Sequence, residues 1–214
     1  FWMGLEDFKR IFWLEYLHRL LGRIIGIIYL LPFLWFVARY RIPMRLTGQL
    51  VLLLVLGGGQ GVLGWYMVKS GLVDQPSVSH YRLAAHLGLA VFIYGFMLYT
   101  AIGTGRKLRG STTDKSILFW PAVLIFATMI WGAFVSGLDG GAVFNTFPLM
   151  DGRLIPQGAL EISPIWLNPF ENIGLVQWLH RILAAATVSV ILTVWWRERA
   201  SKTVTLNLLA TFAV

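Results

Sequence analysis

Apolar residues along this chain come in long unbroken runs, with polar residues confined to short clusters between them. A helix needs about 20 mostly apolar residues to cross a bilayer. Five runs meet that length: Leu14–Ala38, Leu50–Val68, Leu83–Ile102, Ile117–Leu138 and Gly174–Trp196. A sixth begins near Val204 and continues to Val214. Gly, Pro and polar residues punctuate the gaps. The pattern predicts an all-α protein, a polytopic bundle of transmembrane helices.

Charge placement orients the runs. The segment after the first holds Arg39, Arg41 and Arg45, that after the third Arg106, Lys107, Arg109 and Lys115, and that after the fifth Arg197, Arg199 and Lys202. If every run spans once, these ten of the 18 basic residues share one face. The other face carries Lys69, Asp74, Asp139, Asp151, Arg153, Glu161 and Glu171. The positive-inside rule places the ten basic residues in the cytoplasm or mitochondrial matrix. It places the long loop from about Asp139 to Asn172 in the periplasm or intermembrane space, where it either covers a bound group or meets a partner.

Composition agrees. The chain is 57% hydrophobic and 13% charged, about half the charged share of a soluble domain. The net charge of +8 therefore reads as an orientation signal and predicts no nucleic-acid partner. The absence of cysteine excludes disulfides, thiolate metal sites, iron–sulfur clusters and covalent c-type haem. Phe1 in place of Met, and Val214 inside an apolar run, predict an internal fragment incomplete at both ends.

The chain also repeats itself. Glu15-Tyr-Leu-His-Arg-Leu-Leu matches Gln177-Trp-Leu-His-Arg-Ile-Leu, His18 and His180 being 162 residues apart. A second echo joins Gly64–Leu72 to Gly132–Leu138. Two related multi-helix halves are expected, 1–110 and 111–214.

Three of the four histidines occupy comparable places. His18, His86 and His180 precede the inner-face arginines Arg39, Arg106 and Arg197 by 21, 20 and 17 residues. At 1.5 Å per residue all three fall about 25–32 Å from the inner face, on parallel helices. Imidazoles at one depth suit bis-histidine haem ligation, in which iron takes two axial nitrogens from the protein. No carboxylate or cysteine is spaced to complete a zinc site instead. His80 lies six residues from His86, faces another direction, and is expected at the surface.

Arginines accompany the candidate ligands: Arg19 and Arg23 after His18, Arg181 after His180, and Arg82 four residues before His86. An arginine at a membrane edge usually has an anionic partner, and haem propionates would serve. Glu15 lies one helical turn from His18 and could act as acid, base or cation stabiliser beside a bound substituent. Its repeat counterpart, Gln177, cannot ionise, so chemistry is expected in the first half and a spectator haem in the second. The glycine-rich stretch Leu56–Gly64 lies inside an apolar run and reads as close helix packing, not a phosphate loop.

These segments resemble haem A synthase. The likeness is carried by EYLHRLLGR (Glu15–Arg23), QGVLGWYMVKSGL (Gln60–Leu72), YRLAAHLGLA (Tyr81–Ala90), GLDGGAVFNTFPLMDG (Gly137–Gly152), NPFEN (Asn168–Asn172) and QWLHRI (Gln177–Ile182). It is similar to the cysteine-poor mitochondrial and α-proteobacterial branch. The resemblance implies an eight-helix protein of two pseudo-symmetric four-helix halves, here lacking its first and last transmembrane helices. It implies that His18 and His86 hold haem O, the substrate, and that His180 holds a haem b whose second ligand lies beyond Val214. It implies Glu15 as the catalytic carboxylate, and oxidation of the haem O C8 methyl to a formyl group, giving haem A for terminal oxidases. Arg19, Arg82 and Arg181 are the expected haem-binding arginines. The expected setting is the bacterial cell membrane or mitochondrial inner membrane, with the haems near the outer side. Expected partners are the lipid bilayer, haem O synthase and an electron-transfer protein, and a homo-oligomer is compatible with the pattern. Two rival readings are a cytochrome b-like electron carrier, which wants haems at two depths, and a haem transporter or assembly scaffold, which needs no carboxylate beside the ligand.

Overall fold

The structure, a computed structural model, describes residues 4–71, 78–104 and 115–198. Among these, five helices are long and apolar enough to cross a membrane. They are α1 (Leu5–Arg39), α2 (Met44–Gly71), α3 (His80–Thr104), α4 (Lys115–Gly137) and α6 (Ile173–Glu198); the short α5 (Asn168–Glu171) precedes the last. The five apolar runs of the sequence each become a helix. The sixth run, Arg106, Lys107, Arg109, Arg199, Lys202 and Asp74 lie outside the described residues.

The helices overrun the apolar stretches because helical hydrogen bonding continues past the hydrocarbon edge. The largest overrun is α1, which starts nine residues before Leu14 with Glu6 and Lys9 paired at 2.8 Å. Its 35 residues span about 50 Å, well beyond the roughly 30 Å hydrocarbon core. Pro32 and Pro121 sit inside α1 and α4, as transmembrane helices tolerate.

Two compact units divide the chain: Phe1–Trp65 with Val91–Arg106, and Tyr66–Ala90 with Lys107–Val214. In the first, the Tyr29 hydroxyl of α1 donates to the Leu50 carbonyl of α2 at 2.8 Å. An apolar hollow of about 400 Å³ opens there between Tyr29, Phe33 and Phe36 on one side and Ile42, Leu46 and Leu50 on the other.

The second unit has the better-formed core. Ala84 of α3, Ala133 and Phe134 of α4 and Val176 of α6 are buried together, with Leu87, Ile130, Trp131 and Phe170 packed around them. Glycines set the distance between these helices. A Cβ on Gly137 would lie 2.6 Å from the His80 Cα, and one on Gly88 would meet Ile130 at 3.1 Å. One contact joins the start of α3 to the end of α4, and the other lies further along α3 but earlier in α4, so the two helices run antiparallel. α4 and α6 are antiparallel as well: Thr128 bonds Thr187 hydroxyl to hydroxyl at 2.8 Å, while Gly132 faces His180.

Gly137 can be tested directly. Its alanine variant must push the start of α3 off α4, and overpacking of this kind costs about 1–3 kcal/mol. Gly137→Ala should lower the thermal midpoint of the detergent-solubilised protein by several degrees; an unchanged midpoint would contradict the close approach.

Candidate functional site

The second unit brings three elements together at one end: the start of α6, the end of α4 and the loop from Asp139 to Asn172. His180, in the third turn of α6, is half-buried. Its Nδ1 lies 3.1 Å from the Thr128 carbonyl of α4. A carbonyl only accepts, so Nδ1 donates to it, and in the neutral ring Nε2 then keeps the lone pair that a metal ligand needs. Gly132 makes room for the ring: a Cβ there would stand 3.0 Å from His180 Cε1. A cleft of about 350 Å³ opens beside the imidazole, lined by Gly132, Val135, Ser136, Asp139, Gly141 and Ala142. A protonated Nδ1, a lone-pair Nε2 and a glycine-lined face fit an axial haem ligand.

α3 brings His86 to the same level. His80 adjoins Gly137 and Gly88 adjoins Ile130, so His86 falls between them, beside the turn of α4 that contains Trp131 and Gly132. His180 faces that same turn from the other helix. The equal depth expected of these two histidines therefore holds along α4. His86 is half-buried, and Arg82, one turn before it, stands with its guanidinium carbon 5.5 Å from the Tyr66 ring centroid, a cation–π contact.

The loop is fastened to α6 by three side chains, Gln177, Trp178 and Arg181. Gln177 Nε2 and Arg181 Nη2 both donate to the Phe144 carbonyl, at 2.9 and 2.8 Å. Arg181 Nη1 donates to the Thr146 carbonyl at 2.8 Å, and Trp178 Nε1 to that of Leu154 at 2.8 Å. Two of the five guanidinium donors of Arg181 thus hold the loop, leaving three for an anion. The loop supplies its own order. Asp151 and Gly152 both take positive φ, as a type I′ hairpin turn requires, and Met150 and Arg153 bond across it. Thr146 Oγ1 donates to the Leu149 carbonyl and accepts from the Asp151 amide. The motif FNTFPLMDG is thus a docking loop, its backbone carbonyls turned toward α6.

In the first unit, His18, Glu15 and Arg19 share the N-terminal half of α1 and are exposed. Arg19 Nη2 donates to Glu15 Oε2 at 2.5 Å, one turn along the helix. The repeat makes the contrast plain. Where Gln177 and Arg181 converge on a loop carbonyl, Glu15 and Arg19 hold each other and leave the carboxylate at the surface of the helix.

His80 departs from expectation. It is only 7% exposed, wedged between Tyr81 and Phe134 with ring centroids at 4.1 and 5.6 Å. Helical periodicity turns it away from His86, but the direction it faces is the α4 contact and not solvent. Sequence reading also passed over Thr128, whose role rests on its backbone carbonyl, and Glu171, whose partner is 90 residues distant. Comparing Gln177 and Arg181 with Glu15 and Arg19 was the one available signal for the loop clamp.

A family profile described as cytochrome oxidase assembly protein, COX15-CtaA, matches residues 2–214. The chain belongs to this family. Among curated relatives it is 45% identical over 199 residues to "Heme A synthase" of Parvibaculum lavamentivorans, covering 92% of this chain and 58% of that one. The counterpart in Rhodospirillum centenum is also 45% identical, with 91% and 53% covered. "Heme A synthase COX15" of Arabidopsis thaliana is 44% identical over 212 residues, with 92% and 46% covered. The chain spans about half the length of these relatives. No solved structure matches it. Family and apolar helices together make it an integral membrane protein.

The loop clamp makes a prediction for any member of the family with this arrangement. Arg181→Ala removes two charge-assisted bonds to the loop, each worth about 1–3 kcal/mol. Limited proteolysis should then cut between 143 and 155 several-fold faster than in the parent, and an unchanged rate would show that Arg181 does not hold the loop.

Proposed function

We propose that this chain is part of a haem A synthase, oxidising the C8 methyl of haem O to a formyl group. The observation that carries the reading is the unequal repeat. Both Leu-His-Arg segments place a histidine near the outer end of a transmembrane helix, but only the first adds an ionisable carboxylate, at Glu15, one turn away. In the second, Gln177 is buried and engaged with the Phe144 carbonyl. Relatives bearing the printed name "Heme A synthase" support the same assignment.

In this reading His18 and His86 hold the iron of haem O, and residues 1–110 form the substrate half. Residues 111–214 form the second half, in which His180 holds a haem b through Nε2 while the Thr128 carbonyl fixes its ring. Haem b supplies one-electron transfer when bound. Arg19, Arg82 and Arg181 offer guanidinium donors to propionates at the outer edge. Glu15, kept along the helix face by Arg19, stands within about 4.5 Å of axial rise from His18. There it can take a proton from, or stabilise positive charge on, the substituent being oxidised. The docked loop closes the outer end and limits access of water. All these groups sit toward the periplasmic or intermembrane-space side.

The test is haem extraction from the full-length protein made in cells that produce haem O, with chromatography and mass detection. Loss of a general acid or base costs about 10²–10⁴-fold in rate. Glu15→Gln should therefore lower haem A at least about 100-fold while haem O stays bound. Haem A at the parent level in that variant would remove Glu15 from the chemistry. Haem b alone in both proteins would replace the synthase reading with the electron carrier.

A further inference from the structure

We propose that Glu171 is a positioning residue. From the loop before α6 it grips the first turn of α3 through the Tyr81 hydroxyl, beside His80, and so fixes the height and rotation at which α3 presents His86. The inference rests on the reading of His86 as a haem ligand.

Three observations carry it. First, the contact joins distant parts of the chain: the Tyr81 hydroxyl donates to Glu171 Oε1 at 2.7 Å, and His80 Nε2 lies 3.7 Å from Glu171 Oε2. α3 has no acidic residue in its own first turn, and negative charge is favourable at a helix N-terminus. Glu171 brings that charge from another element. Second, Glu171 is held from behind. Asn168, fully buried, bonds the Ile162 amide and carbonyl and the Ile165 carbonyl. Asn172 donates to the Gly158 carbonyl at 2.6 Å and accepts from the Leu175 amide at 3.0 Å. Phe170, between them, packs its ring 6.1 Å from Trp131 and 6.2 Å from Phe134. NPFEN is thus a fixed bracket whose single ionisable side chain reaches α3.

Third, the grip is close enough to matter to His86. Tyr81 precedes His86 by five residues, about 7.5 Å of helix. On the other side, Gly88 is set against Ile130 and Phe126. His86 therefore lies between two anchored points, and releasing the outer one leaves its turn of α3 held from one side only. A carboxylate from the second-half loop in this way helps set a ligand of the first half.

The test uses the full-length protein, with two readouts. Amide hydrogen exchange over residues 80–86 is measured on protein from haem-deficient cells, and the low-spin ferric electron paramagnetic resonance signal on haem-loaded protein. Losing a charge-assisted hydrogen bond should speed local exchange about tenfold in both Glu171→Ala and Tyr81→Phe. Each variant should also convert part of the low-spin signal to high spin, and the double variant should do no more than either single one. Glu171→Gln, which keeps an oxygen to accept from Tyr81, should restore both readouts toward the parent. Parent-like exchange and signal in Glu171→Ala overturn the proposal, as does a Gln variant as disturbed as the Ala variant. His86→Ala separates the two levels of inference. If it leaves the haem signal untouched, the ligand reading fails, while the exchange data still decide whether Glu171 grips α3.

Discussion

The approach of α4 to its two neighbours is the constraint on which the second unit depends. In a bilayer there is no hydrophobic drive between helices, so packing and interhelical hydrogen bonds hold them. Here both are present. Gly137 admits the backbone of α3 to a distance no side chain would allow, Gly132 admits the His180 ring, and Thr128 serves α6 twice, through its hydroxyl and its carbonyl. Because α3 and α6 are registered against the same turn of α4, His86 and His180 come to one level. The depth of each histidine is a consequence of helix register, not of its own surroundings.

The loop between α4 and α6 adds a second layer of order. Its docking residues lie on α6 immediately around His180: Gln177, Trp178 and Arg181. The residues that fasten the loop and the residue that would bind iron thus occupy the same two turns. Disturbing the loop would be felt at the histidine, and loading the histidine would favour the docked loop. The bonded carbonyls of Phe144 and Thr146 also satisfy backbone groups that a membrane edge would otherwise leave costly.

Much of this was legible in the sequence. Apolar runs of bilayer length gave five helices, since hydropathy over 20 residues is a strong signal. The level of His86 with His180 was expected from counting residues to the basic clusters that follow their helices. What escaped were features set by tertiary contact. Hydropathy marks only the lipid-facing stretch, so α1 begins well before its apolar run. His80 was assigned to the surface because periodicity gives a direction but not what lies there; that direction is occupied by Gly137 and Phe134. Asn168 and Asn172 gave no signal as a polar network, because their partners are mostly backbone groups that any residue could supply.

The central proposal is that the haems held through His18, His86 and His180 lie at one level toward the periplasmic or intermembrane-space face. Power-saturation electron paramagnetic resonance of the full-length protein in sealed, oriented vesicles tests it most directly. An impermeant paramagnetic relaxant is added to each side in turn, and the low-spin signals are separated with His18→Ala and His180→Ala variants. Equal relaxation of both signals by the relaxant on the outer side, and little from the inner side, is the predicted result. Signals that respond to opposite sides would contradict it, and would place the haems at the two depths of a transmembrane electron carrier.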